Sequence, residues 1–145
     1  ALRDGRLAVL EDASVAGLSP AGWAHAVCRA AARWRADRVV AERNQGGAMV
    51  RQVLLAADPA LPVTLVWASH SKGARAEPIA LRYERGEVVH AGTFPALEDQ
   101  LCGMHMAGGY TGPGRSPDRA DAAIWALTAL SDGQRRGARV RVRVV

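Results

Sequence analysis

The stretch RVVAERNQGGAMV, residues 38–50, decides the fold. Val39, Val40 and Ala41 suit a buried strand, and they run directly into a carboxylate, Glu42. A polar, glycine-bearing turn follows, and a helical pattern resumes through Val50, Val53, Leu54 and Ala57. A short buried strand handing over to a helix is the repeating unit of an α/β layer. The anomaly is the charge at its end. A carboxylate at the end of a buried strand is costly unless it is protonated, paired or bound to metal. Arg43 is adjacent but points to the opposite strand face, so it is a poor partner. Taken alone, an ion pair between Glu42 and some other arginine is the simplest structural account.

Working outward, Leu2 to Ala13 reads as a hairpin: Asp4-Gly5 is a tight-turn signal, and Glu11 and Asp12 end the second strand. Nothing precedes the first strand for it to pair against, so an upstream portion is expected to be absent. Ser19-Pro20 is a helix start, with serine capping and proline in the first turn. Trp23, Val27, Ala30 and Trp34 follow as one apolar stripe. The helix after residue 50 ends at Asp58-Pro59, and Val63 to Ala68 is a continuous apolar run expected to be a central strand covered on both faces. SHSKGARAEP, residues 69–78, reads as a polar, cationic loop leading to a helical segment that ends near Arg85. A strand is expected at Glu87–Ala91, a short helix at Phe94–Leu101 and a flexible loop at GGYTGPGR, residues 108–115. Ser116-Pro117 opens a last helix with so few polar positions that it should be largely buried. Strands alternating with helices behind a hairpin predict an α/β fold with a mixed sheet flanked by helices.

The chain has 145 residues, enough for one domain with a real core. Its 49% hydrophobic and 23% charged content excludes a disordered chain, and no apolar run is long enough for a membrane helix. No membrane partner is expected, and without a signal-peptide pattern the expected location is the cytoplasm. Cys28 and Cys102 are too few for a disulfide framework, and Cys102 with His105 supplies only half a metal site. The net charge of +5 is carried by arginine, because Lys72 is the sole lysine. Such an excess suits a polyanionic partner, and it equally suits a high-GC genome that favours arginine codons.

The chemistry-bearing residues are acids. In SPDRADAAIWAL, residues 116–127, Asp118 and Asp121 are three apart at a helix start and can face the same way. Aspartates are also favoured there by the helix dipole, but Asp121 sits where the helix turns apolar, too deep for simple capping. Acids from a strand end and a buried helix start can converge on divalent cations, which take hard oxygen ligands. Two such ions about 3.5–4 Å apart can activate a water in phosphodiester hydrolysis. Lys72 and Arg75, in the loop after the apolar strand, would then be placed to hold a phosphate backbone, although a solvated loop is the ordinary explanation. His25, His70 and His90 are scattered, and no serine or cysteine has a nearby base, so a covalent intermediate is poorly supported.

Together these pieces resemble the nuclease domain of the large terminase subunit of tailed bacteriophages and phage-like gene transfer agents. The resemblance runs over residues 1 to about 131 and is carried by DGRLAVLEDASVAGLSPAGWA, VVAERNQGGAMV, SKGARAEPIALRYERGEVVHAGTFPALEDQL and SPDRADAAIWALTAL, in that order. It implies a ribonuclease H-like fold and metal-dependent cutting of concatemeric double-stranded DNA during genome packaging. It implies Mg2+ or Mn2+, with two ions in a complete domain, and the portal and small terminase subunit as partners in a bacterial host's cytoplasm. By position, Glu42 corresponds to the family's second metal-binding acid, and Asp118 or Asp121 to the last. Lys72 to Arg75 matches a stretch near the DNA path. The family's first metal-binding aspartate lies on an opening strand that no residue here matches. Residues 1–133 are therefore expected to be a partial nuclease domain, N-terminally truncated and inactive alone, with residues 134–145 as a basic tail.

In that tail, Arg139, Arg141 and Arg143 alternate with valine, which fits either an edge strand or a basic arm contacting DNA. Two other functions fit the same residues: a noncatalytic DNA-binding or assembly module, and another ribonuclease H-like nuclease such as a resolvase. Substituting Glu42 and Asp121 separates the first from an enzyme. An ATP-driven motor upstream separates the second from a terminase.

Overall fold

Strand β3, Arg38–Glu42, is central to its sheet, and Val39, Val40 and Ala41 are all buried, as in a strand covered on both faces. Val39 and Ala41 pack into one core cluster with Ala24, Val27, Ala31 and Leu54. Val40 and Glu42, one residue out of phase, face the other side. The computed structural model describes residues 2–3, 5–43, 47–105, 108–135 and 142–144.

Strands β1 (Leu2–Arg3) and β2 (Arg6–Val9) form the expected antiparallel hairpin, and β5 (Val88–His90) adds parallel to β2. Strands β4 (Val63–Val66) and β6 (Val142–Val144) flank β3, both parallel to it. The described strands thus make two three-stranded sheets, β1-β2-β5 and β4-β3-β6. Five helices lie among the described residues: α1 (Pro20–Trp34), α2 (Gly47–Ala57), α3 (Lys72–Glu84), α4 (Pro95–Cys102) and α5 (Asp118–Arg135). The architecture is the mixed α/β one that the residue pattern predicted.

Each sheet carries its own core. On the first, Leu7 and Val88 pack with Ala76 and Ile79 of α3 and with Ile124, Leu127 and Leu130 of α5. Burying a side chain of this size contributes about 1.5–3 kcal/mol, so α5 is held mainly by its apolar positions. Helix α5 also touches β3, β6 and β2.

Several expectations change. The buried face of α1 is Ala24, Val27, Ala30 and Ala31, whereas Trp34 is 37% exposed and Trp23 only packs at the margin. Small alanines let α1 approach its neighbours closely, and the tryptophans flank that contact. The apolar run after residue 63 is an edge strand with Thr64 exposed, not a central one, because a short apolar run fits either position. Glu11 and Asp12 lie beyond β2 in a loop.

The correction that matters most concerns residues 72–78, which are helical rather than loop. Ser71 caps α3 by accepting from the Ala74 N–H at 3.3 Å, and the helix runs on through Pro78. Gly73 and Pro78 disguise this in the sequence. The N–H that Pro78 lacks would have bonded Ala74, one missing bond that the rest of the helix tolerates. In the tail, Val142–Val144 takes the edge-strand alternative. Residues 136–141, including Arg139 and Arg141, lie outside the described residues, and Arg143 falls on β6.

Candidate active site

Two helix starts and one strand end meet here. Helix α3 begins at Lys72, so Lys72 and Arg75 stand one turn apart on a common face. Helix α5 begins at Asp118, and Asp118 and Asp121 repeat that spacing. The two helices pack together, and the faces interlock. Arg75 Nη2 donates to both carboxylate oxygens of Asp121, at 2.7 and 2.9 Å. Lys72 Nζ donates to Asp118 Oδ1 at 2.8 Å and to Ser116 Oγ at 2.7 Å, and lies 3.8 Å from Asp121 Oδ2.

Burial separates the two aspartates. The Asp121 side chain is 9% exposed and its Arg75 partner 11%, whereas the Asp118 side chain is 79% exposed. An ion pair withdrawn from water survives only with close geometry and further hydrogen bonds, which the twofold contact supplies. The Lys72–Asp118 pair is a surface pair of small net worth. The hydrogen bond from Lys72, followed by one from Ser116, holds the Asp118 carboxyl below its ordinary range.

Arg75 also reaches beyond the aspartate. Its Nη1 donates to the His70 carbonyl, and its guanidinium carbon lies 5.0 Å from the centre of the Trp125 ring. That is within range of a cation–π contact. Trp125 stands one turn beyond Asp121 on α5, and its indole N–H donates to Glu42 Oε2 at 3.3 Å. Glu42 is thereby linked to the aspartates through Trp125 and Arg75. Among the described residues it forms no ion pair, so the salt bridge first expected for it is replaced by the indole.

The start of α5 is anchored by residues to which the sequence drew no attention. Gln100 Oε1 of α4 accepts from the backbone N–H of Arg119 at 2.8 Å and of Ala120 at 3.3 Å. It satisfies N–H groups that a helix start leaves without internal partners. The Arg119 guanidinium donates to Asp12 Oδ2 at 2.9 Å, tying the loop after β2 to the same turn. Glu11 accepts from Arg33 and from the Trp34 indole on α1. Of these residues only Trp125 carried a sequence signal: it follows Asp121 by four, so the two share a helix face. Gln100 and Asp12 act across the fold, where spacing says nothing.

The donor set does not suit the expected metal. Among the described residues, no three histidine, cysteine, aspartate or glutamate side chains gather closely enough to hold a metal ion. Asp118 and Asp121 are already paired with Lys72 and Arg75, and Glu42 with an indole. As arranged here, the three acids do not fit a metal. Cys102 is an exposed free thiol, and His105 Nε2 lies 2.9 Å from Thr111 Oγ1. Burial pushes the Cys28 thiol up, away from the thiolate form a nucleophile needs. None of the described helices is long and apolar enough to cross a membrane.

Neither the curated proteins nor the solved structures gave a match to this chain. The family model of the terminase RNaseH-like domain matches residues 1–130. RNaseH-like nuclease domains generally use divalent metals, and a terminase domain implies a DNA substrate and packaging machinery. By that match over nearly its whole length, the chain belongs to the terminase RNaseH-like domain family, which implies a nuclease role in packaging.

Proposed function

We propose that this chain is an endonuclease domain that cuts concatemeric double-stranded DNA during packaging of a viral or gene-transfer-agent genome, with Glu42, Asp118 and Asp121 as its acidic centre. The observation that carries the reading is the chain of contacts from Glu42 through Trp125 and Arg75 to Asp121, which links acids 79 positions apart (121 − 42).

Within this reading each residue has a task. Asp121, buried and held by two hydrogen bonds, is the fixed member of the centre. Asp118 is exposed and keeps its carboxylate form because Lys72 and Ser116 stabilise the charge. Lys72 and Arg75 stand at the start of α3, beside the acids, where the DNA backbone would meet them. In the tail, Arg139, Arg141 and Arg143 are the phosphate contacts of this reading. Mg2+ or Mn2+ is the divalent ion of this reading, and it would need the aspartates released from Lys72 and Arg75. The portal and the small terminase subunit are the partners of the assembled machine.

The test uses the intact packaging protein. Glu42→Ala or Asp121→Ala should abolish plasmid cutting while DNA is still retained in a mobility-shift assay. Cutting that survives both substitutions would overturn the nuclease centre in favour of a noncatalytic DNA-binding module.

A further inference from the structure

The basic and acidic residues of the site satisfy one another, and that is where the fold and the chemistry of its family disagree. Metal-assisted cutting needs carboxylate oxygens open to a hard cation. Here Arg75 covers both oxygens of Asp121, and Lys72 covers Asp118 while standing 3.8 Å from Asp121. Two positive side chains already balance two carboxylates. A divalent ion entering beside them would meet a guanidinium and an ammonium at close range.

The contact is tight but not at its optimum. Among the described residues Arg75 Nε is buried without an acceptor, although its guanidinium can donate five hydrogen bonds. An unspent buried donor is a cost, and the Asp121 pair and the Trp125 ring offset it in this arrangement. Lys72 is less committed: its side chain is 36% exposed and its main partner faces solvent. Both cations sit on the first turn of one helix, so a small shift of that turn withdraws them together.

We propose that Arg75 and Lys72 are the resting counter-cations of the acidic centre, held in place of a metal, and that a divalent ion reaches Asp118 and Asp121 only by displacing them. This rests on the reading of those aspartates as the centre. Displacement leaves two free cations beside the site, the chemistry that a DNA phosphate recognises. By reciprocity, a polyanion that draws Lys72 and Arg75 away strengthens divalent binding at the acids.

Mn2+ alone is the probe, titrated by calorimetry into the full wild-type chain and into K72Q, R75Q, D121N and the K72Q/D121N pair, with folding checked by circular dichroism. K72Q and R75Q should bind Mn2+ at least about fivefold more tightly than wild type, the lower end of ordinary coupling between sites. The gain should vanish in K72Q/D121N. Unchanged or weaker affinity in folded K72Q overturns the proposal, and if R75Q fails to fold, K72Q alone decides. The two readings fail differently. Loss of Mn2+ binding in D121N without a gain in K72Q removes the counter-cation role and leaves the acidic centre standing. A gain in K72Q that persists in K72Q/D121N puts the ion elsewhere and overturns both.

Discussion

Trp125 donates its indole N–H to Glu42 at 3.3 Å across 83 positions of sequence. This contact answers why a buried strand ends on a charge: Glu42 leaves the apolar face of β3 and turns toward α5, where a donor waits. Trp125→Phe keeps an aromatic ring on that helix face, removes the donor and trims the indole to a single ring. The expected loss is at least about 1 kcal/mol of stability, read from urea unfolding, because a single net hydrogen bond is worth that much and the smaller ring adds to it. In the intact protein DNA cutting should fall much further than stability does.

The Arg75–Asp121 pair should behave as a buried unit. Removing one partner leaves an unpaired charge, at roughly 3–5 kcal/mol. Arg75→Met and Asp121→Leu should each destabilise on that scale, and the double substitution should cost clearly less than the two together. A double-mutant cycle in denaturant measures the coupling. Strict additivity would show that the pair contributes little in solution.

A second polar cluster sets an acid limb of stability. His90 Nδ1 lies 2.9 Å from Glu98 Oε1, and Tyr83 Oη lies 2.8 Å from His90 Nε2. The His90 hydrogen bond, with one from the Phe94 N–H, holds the Glu98 carboxyl below its ordinary value. Burial, with the nearby Glu98 charge, pushes the Tyr83 hydroxyl up to about 12, so it remains a donor. A carboxyl with a depressed folded pKa stabilises above its ordinary pKa, and the contribution disappears as pH falls through the depressed value. Glu98→Gln should flatten the stability profile in that acidic window, measured as urea midpoints from about pH 6 to pH 3.

Gln100 should matter more than a half-buried glutamine usually does. It accepts from the first N–H groups of α5, and Gln100→Ala leaves them without that acceptor. A lost helix cap costs about 1 kcal/mol. Because the same turn carries Asp118 and Asp121, thermal unfolding should shift down together with any activity that depends on them.

The tail arginines are separable from the acids. Changing Arg139, Arg141 and Arg143 to alanine keeps the backbone that pairs β6 with β3. If each contacts a phosphate, DNA binding weakens and the slope of log affinity against log salt becomes shallower by up to about 3. An unchanged slope would remove the arm from the DNA path.

Much of this protein was legible one element at a time. The 38–42 strand, the 20–34 helix behind its serine cap and the apolar 118–135 helix follow from a short apolar run, capping chemistry and helical spacing, all local in the chain. The acids Glu42, Asp118 and Asp121 stood out because charge at the edge of an apolar run needs a reason. What each acid touches was decided only by the tertiary structure. Lys72 and Arg75 read as loop residues until Ser71 proved to start a helix there, and that helix aims both cations at α5. Local propensity acts over a few residues, whereas an ion pair between positions 75 and 121 exists only once two helices have packed.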